Sequence, residues 1–134
     1  MAKKSKKSQQ EIAKNIREIS LQGEVFRQLP FATNHYISNY GRLYGVCHNK
    51  ILSQDLNGKY ARVFFKSTED NKYHHYQVHR LVCMMFVYGY FDKCEVHHVD
   101  TDKRNNCAWN LVPTTPRQHD IIHAKIRKRR KKTA

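Results

Sequence analysis

Four histidines and one asparagine in the last third of the chain have the clearest chemical potential. His97 and His98 are adjacent near the end of a short apolar run, Asn110 opens a second one, and His119 and His123 lie four residues apart in a segment with helical features. Residues i and i+4 of a helix share one face, so the latter two imidazoles point to the same side. Imidazole is the commonest ligand of divalent transition metals in proteins, and its neutral form also accepts a proton from water. The spacing therefore predicts a metal site with an adjacent general base.

Strand geometry separates the roles of His97 and His98. Successive side chains of a strand point to opposite faces, so one of the two can bind a metal shared with His119 and His123 while the other deprotonates a water molecule. The metal would stabilise charge on a phosphate and on its leaving oxygen, which phosphodiester hydrolysis requires. Asn110 can bond the backbone of the preceding loop and hold the base in position.

Two other interpretations of these residues stay open at the level of sequence. Three or four histidines can enclose a zinc ion completely, which would make the site structural in a non-catalytic DNA-binding protein. An RNA-directed or toxin-type nuclease could use the same arrangement. A catalytic metal keeps a coordination position for water or phosphate and a structural metal does not, so the coordination of the ion separates a nuclease from a structural zinc protein.

Periodicity and turn signals predict an α+β fold that begins with a helix. A capping box from Ser8 to Glu11 opens this helix, and isoleucines recur at helical spacing until about Leu21. Between residues 24 and 79, short runs of aromatic and β-branched residues predict small antiparallel strands. Asn57-Gly58 predicts a tight hairpin turn between the runs on either side of it.

The elements that must position the histidines follow in the second half. The apolar pattern predicts a short helix over residues 79–88, then strands around 94–99 and 110–113. A threonine cap and a proline in the first turn predict a last helix, from Pro116 to near Arg129. This order is a strand, a loop, a strand and a helix, with histidines on the first strand and on the helix.

The chain carries a large excess of positive charge. Its 25 Lys and Arg against 11 Asp and Glu give a formal net charge of +14, and the pI is ≈ 9.8. Eleven of the cations lie in two basic arms, at residues 3–7 and 125–132. Such an excess indicates a polyanionic partner, and nucleic acid is the usual one.

Compartment signals are simple. No apolar run has the length of a membrane span, and the lysine-rich start lacks the apolar stretch of a signal peptide. We therefore expect a cytoplasmic protein, in the host cytoplasm if the gene is carried by a phage. The four cysteines are scattered without a Cys-x-x-Cys pair, which favours reduced thiols and argues against a zinc ribbon.

Several short motifs stand in order between residues 78 and 124. They are Val78-His79-Arg80-Leu81-Val82, Val96-His97-His98-Val99-Asp100, Asp102-Lys103-Arg104-Asn105-Asn106, Asn110-Leu111, His119 and His123-Ala124. Together they resemble the HNH nucleases of the phage and intron homing type. Upstream, Glu24-Val25-Phe26-Arg27 and Tyr36-Ile37-Ser38-Asn39-Tyr40-Gly41-Arg42-Leu43 are similar to NUMOD4, a small DNA-binding motif often fused in front of such nucleases.

The resemblance implies a ββα-metal fold, one divalent cation, and cleavage that leaves a 5′-phosphate and a 3′-hydroxyl. It implies that His98 is the general base, that Asn110 is the middle asparagine of the motif, and that His119 is a metal ligand. Homing members usually have Asn or Asp where this chain has His97, and often Asn where it has His119. With His97, His119 and His123 the site is more similar to colicin-type nucleases, whose metal is held by imidazoles. Such a nitrogen-rich set favours Zn²⁺, Ni²⁺ or Mn²⁺ in affinity, although Mg²⁺ can still be the working ion.

The predicted function is that of a metal-dependent DNA endonuclease of a mobile phage element, acting on double-stranded DNA as a monomer or a homodimer. The predicted organisation has four parts: a basic arm and amphipathic helix (1–23), a β-rich NUMOD4-like segment (24–77), the HNH core (78–124) and a basic tail (125–134). We expect the following cations to contact DNA: Arg42, Arg80, Lys103, Arg104, Arg117, Lys125, Arg127, Lys128, Arg129 and Arg130.

Overall fold

The first helix, α1, covers Gln9–Ile19 in the computed structural model, which describes residues 7–115. It begins where the sequence predicts, because the Ser8 hydroxyl accepts a hydrogen bond from the Glu11 amide at 3.1 Å. Its buried residue, Ile12, packs with Tyr36 and Tyr44 of the first sheet. The helix therefore docks on the protein's own sheet.

The β structure consists of one four-stranded sheet and two antiparallel pairs within the described residues. The sheet contains β1 (Phe26–Leu29), β2 (Ala32–Ser38), β3 (Leu43–Gly45) and β4 (Lys50–Ile51), in that order. The first pair is a ribbon of β5 (Arg62–Lys66) and β6 (Tyr73–Gln77), and the second joins β7 (Glu95–His98) to β8 (Leu111–Thr114). The second helix, α2 (Val78–Phe86), follows β6 directly, and a short 3₁₀ helix, Ala108–Asn110, precedes β8.

One hydrophobic cluster joins these elements. It includes Ile37 of the sheet, Val63 of the ribbon, Val82 of α2, and Val96 and Leu111 of the β7–β8 pair. The predicted segments 24–77 and 78–124 thus share a core, and α2 lies between the sheet, the ribbon and the β7–β8 pair. The predicted α+β class is confirmed. The predicted helix from Pro116 lies outside the described residues.

The predicted hairpin at Asn57-Gly58 is wrong. Residues 51–56 and 59–65 were expected to pair across it, but β4 pairs with β3 and β5 pairs with β6. Within the described part of the chain, the two sides of this turn meet in the isolated bridge between Asp55 and Arg62. Tertiary pairing overrides the local turn preference here, since both runs find better-matched partners elsewhere.

A buried ion pair fixes the connection between α1 and the sheet. The Glu24 side chain is 0% exposed, and Arg42 donates to both of its carboxylate oxygens, at 2.9 and 2.6 Å. The same guanidinium donates to the Ile19 carbonyl at 2.8 Å. Burial, the largest single effect, pushes the pKa of Glu24 up, but the hydrogen bonds from Arg42, the Leu21 amide and Ser38, with the charge of Arg42, together lower it below its usual range.

Loss of this pair should be costly. Arg42→Ala leaves the buried Glu24 carboxylate without its partner, so we expect the free energy of unfolding to fall by about 3 kcal/mol or more. Arg62→Ala is the matched control, because its pair with Asp55 is 42% and 33% exposed and an exposed pair contributes little to stability. Urea denaturation of both variants measures the difference. Equal losses would contradict the structural role of Arg42.

Candidate active site

His98 ends strand β7 and is almost completely buried, at 4% exposure. Its Nε2 lies 2.9 Å from Oδ1 of Asn106, an oxygen that can only accept a hydrogen bond. Nε2 must therefore carry the hydrogen, and in the neutral ring Nδ1 keeps a lone pair. The arrangement selects the tautomer that a general base needs, with Nδ1 as the proton acceptor.

Asn110 ties the ends of the loop that carries Asn106. Its Oδ1 accepts from the Asp100 amide at 3.1 Å, and its Nδ2 donates to Asp100 Oδ1 and to the Asn105 carbonyl, both at 2.9 Å. Asn105 donates to the other oxygen of Asp100 at 2.7 Å. These bonds, first that from Asn105, lower the pKa of Asp100. The loop is thus closed around an ionised carboxylate, with Asn110 as its central cross-link.

The first sheet contacts Asn106 through the turn between β2 and β3. The turn between β2 and β3 contains Gly41, with φ of +85°, and a Cβ there would lie 3.0 Å from Asn106 Cβ and 3.2 Å from its carbonyl oxygen. Glycine is needed both for the backbone conformation and for this close approach. In the same turn the Asn39 carbonyl accepts from the Ala108 amide at 2.8 Å, and Tyr40 packs edge-on against Trp109.

Two aromatic rings pack beside His98. His79 of α2 lies 5.2 Å from the His98 ring, and Tyr60 lies 4.6 Å from His79 and 6.2 Å from His98, measured between ring centroids. Burial, followed by the charges of His98 and Arg80, lowers the pKa of His79 to about 3. His79 is therefore neutral at physiological pH, so it adds no charge that would oppose protonation of His98.

Two lysines meet over the Tyr60 ring. The Nζ atoms of Lys59 and Lys103 lie 5.6 and 5.5 Å from the ring centroid. Partial burial, and then the charge of Lys59, lowers the pKa of Lys103. Two like charges brought together beside His98 form a site that an anion such as a DNA phosphate would stabilise.

The other predicted residues are distributed as follows. His97 is also buried, on β7 opposite Val112 of β8. Arg80 donates to the Cys94 carbonyl and Arg104 to the Leu56 carbonyl, so both guanidiniums have structural partners, as Arg42 does. Several predicted residues lie outside the described part of the chain: Arg117, His119, His123, Lys125, Arg127, Lys128, Arg129 and Arg130.

The donor chemistry fits a metal if residues beyond 115 take part. Within residues 7–115 there is no group of three or more His, Cys, Asp or Glu side chains that could hold an ion. Both predicted partners of His97 lie beyond that range, so the described residues supply one imidazole of the predicted set of three. Imidazole nitrogens suit Zn²⁺, Ni²⁺ and Mn²⁺.

Sequence reasoning missed most of the surroundings of His98. Asn106 stands in a motif of the resemblance, yet its contact with His98 had no signal of its own. Lys59 and Tyr60 were missed because they are far from the histidines in sequence.

Within the described residues, no helix has both the length and the apolar character needed to cross a membrane.

Comparison with protein families matches residues 76–121 to a family described as HNH endonuclease. A protein of Acanthamoeba polyphaga mimivirus, named an uncharacterized HNH endonuclease, is 32% identical over 79% of this chain and 27% of its own length. DNA endonuclease I-HmuI of Bacillus phage SP01 is 36% identical over 58% of this chain and 44% of its own. H-N-H endonuclease F-TflII of Escherichia phage T5 is 32% identical over 73% and 51%.

A solved structure shows the same relationship in three dimensions. It describes DNA binding and cleavage by the HNH homing endonuclease I-HmuI, and it superposes with a TM-score of 0.67 at 26% identity, over 78% of this chain and 59% of that one. This chain spans between about a quarter and a half of the length of the curated relatives named above. The resemblance to phage homing HNH nucleases is confirmed, whereas the NUMOD4 motif stays a prediction.

The pKa of His79 predicts a pH-dependent stability. His79 takes up a proton near its ordinary value of 6.5 when unfolded but near 3 when folded, so protonation favours the unfolded chain. Its contribution is present above about pH 6.5 and is lost as the pH falls toward 3, by at most about 1.4 kcal/mol per pH unit. In EDTA, His79→Gln should flatten the fall in unfolding free energy between pH 7 and pH 4, whereas the exposed control His48→Gln should not. An unchanged slope in His79→Gln would contradict the burial of a neutral ring.

Proposed function

We propose that the chain, whose residues 76–121 match the HNH endonuclease family, is a metal-dependent endonuclease that hydrolyses phosphodiester bonds of double-stranded DNA, as part of a phage mobile element. The observation that carries the proposal is the buried bond from His98 to Asn106, which leaves Nδ1 of His98 as a base. Structural zinc in a non-catalytic protein is not favoured, because the named relatives are endonucleases.

In the proposed mechanism, Nδ1 of His98 takes a proton from the attacking water. The imidazolium that forms stays hydrogen-bonded through Nε2 to the Asn106 oxygen, a charge-assisted bond that is stronger than in the neutral ring. Lys59 and Lys103 attract the phosphates of the strand to the Tyr60 side of the base. Asn110 is a positioning residue, since its bonds shape the loop and not the substrate.

The proposed metal ligands are His97, His119 and His123. A divalent cation bound there supplies positive charge that stabilises the phosphate and the leaving oxygen. The nitrogen donor set favours Zn²⁺, Ni²⁺ or Mn²⁺ in affinity, and Mg²⁺ is the alternative where it is abundant. Incubation with supercoiled plasmid, with and without EDTA and with each metal in turn, tests the activity. Absence of nicked or linear product under every metal condition would contradict the proposal.

Removal of the base should abolish most of the activity without unfolding the protein. We expect His98→Ala to lower the rate of plasmid cleavage by about 10²–10⁴-fold, the usual contribution of a positioned acid–base group. DNA affinity in EDTA should change little. The control His74→Ala removes an exposed histidine and should cleave at the wild-type rate. Near-wild-type cleavage by His98→Ala would remove His98 from the mechanism.

Asn106 gives a second test of the same interaction. Asn106→Ala should lower the cleavage rate because the His98 ring loses its acceptor. Asn106→Asp keeps an acceptor and adds a charge, which raises the pKa of the imidazole. It should therefore restore part of the rate and move the acid limb of the pH–rate profile to higher pH. A merely structural role would give no such shift.

Metal binding should depend unequally on His119 and His123. His119→Ala should abolish or severely weaken binding, whereas His123→Ala should weaken it less if water takes the vacated position. Because imidazole must be neutral to bind, affinity should fall below about pH 6.5. Calorimetric titration with Mn²⁺ and Zn²⁺ measures both effects, with the exposed His75→Ala as control. Unchanged affinity in His119→Ala would exclude this ligand set.

A further inference from the structure

A second candidate site lies in a cleft between the ribbon and the first sheet. The cleft has a volume of ≈ 510 Å³ and is lined by β5 and β6 on one side and by β2, β3 and β4 on the other. Protein sites for small organic ligands typically have about 300–1,000 Å³, so a single nucleotide is of suitable size. We refer to it below as the ribbon cleft.

The charges of the ribbon cleft select an anion. Lys50 of β4 and Lys66 of β5 are exposed on its two sides, and none of the described residues that line it is acidic. The two carboxylates of the ribbon turn, Glu69 and Asp70, border a different pocket, and Asp70 is bound to His74 at 2.7 Å. An anionic ligand in the cleft would thus meet cations from both walls.

The rings of the ribbon cleft select a planar group. Phe64 and Tyr73 are 53% and 62% exposed, although both are large and largely apolar. Their rings stack on each other, with centroids 5.3 Å apart and planes inclined by 24°. An exposed aromatic stack on a β-ribbon is a platform on which a nucleobase can stack, at a strength that depends little on the base.

The floor of the ribbon cleft offers a polar group. The His35 ring stacks on Phe65 at 4.4 Å, and its Nδ1 is buried without a hydrogen-bond partner among the described residues. Such atoms are rare in proteins. Gly45 lies opposite His35 on β3. A Cβ at position 45 would lie 2.8 Å from Leu52 Cδ1, so a larger residue would have to displace the Leu52 side chain.

We propose that the ribbon cleft binds one unstacked nucleotide of a DNA strand, with its base against Phe64 and Tyr73 and its phosphate near Lys50 and Lys66. A base in a duplex has both faces covered by its neighbours, so the aromatic stack can engage a base only in a single-stranded or locally opened stretch. The inference takes DNA as ligand from the proposed function, but the binding needs neither His98 nor metal. Lys66 is six positions along the chain from Tyr60, which packs beside His98, a span of about 20 Å when the chain is fully extended. The cleft would therefore engage DNA several nucleotides from the scissile bond.

Titration of the full chain in EDTA tests this binding. The probe is a single-stranded pentanucleotide that carries 2-aminopurine, whose fluorescence is quenched on stacking. We expect Tyr73→Ala to weaken the affinity by about 5- to 150-fold, the range for one base on one aromatic ring, and Lys66→Ala to reduce the salt dependence by about one phosphate contact. Thymidine monophosphate should compete with the probe, which distinguishes a nucleotide subsite from binding that needs a continuous strand.

Matched controls come from exposed residues away from the cleft. Tyr88→Ala removes a fully exposed tyrosine, and Lys14→Ala removes an exposed lysine of α1. Neither should change the affinity or its salt dependence. Wild-type affinity in Tyr73→Ala, or equal losses in Tyr88→Ala, would overturn the proposal, as would equal sensitivity of a matched duplex to Tyr73→Ala. Probe binding by a protein that cleaves no plasmid would support the cleft and refute the endonuclease, so the two can fail separately.

Discussion

The geometry of the site depends on one buried hydrogen bond, between Nε2 of His98 and Oδ1 of Asn106. Strand β7 fixes the backbone of His98, but its imidazole could still rotate about two torsions, and a buried acceptor is what holds the ring and its tautomer. Asn106 is fixed in turn by Gly41, which has no side chain to keep the two backbones apart, and by the bond from the Ala108 amide to the Asn39 carbonyl. The first sheet therefore positions the His98 ring through Asn106, whether or not the sheet also contacts DNA.

The difference between local signals and contacts distant in sequence explains what could be predicted from the sequence. The elements α1, α2 and β7 were predicted to within about two residues at each end, because a cap or an apolar pattern is a local signal. The histidines were singled out because their spacing is local too, and their shared metal site stays a prediction. The Asn57-Gly58 hairpin failed because pairing of β4 with β3 and of β5 with β6 is decided by the whole fold. The contacts of Arg42 with Glu24 and of Gly41 with Asn106 join residues that no spacing rule relates. These contacts, which position the residues around His98, could therefore not be predicted from the sequence.

As the proposed base, His98 needs a neutral neighbour, His79, as well as its hydrogen-bond acceptor, Asn106. His98 lies against His79 and Tyr60 in a buried setting, where a second positive charge would strongly oppose protonation of the base. Burial keeps His79 neutral, with its pKa at about 3. In the proposed mechanism, the positive charge that attracts the phosphate lies instead on Lys59 and Lys103, over the Tyr60 ring. Burial thus separates the proposed proton acceptor, His98, from the two lysines that are proposed to attract the phosphate.

Several carboxylates bind cations or amides of the protein itself. Glu24 binds Arg42, Asp55 binds Arg62, Asp70 binds His74, and Asp100 is enclosed by Asn105 and Asn110. Each of these groups is engaged within the fold, and the pKa of each lies below its usual value. Because there are 25 cations for 11 carboxylates, most cations have no acidic partner to neutralise them. Four carboxylates are thus engaged within the fold, and the excess of cations over carboxylates gives the chain a positive field that attracts a polyanion.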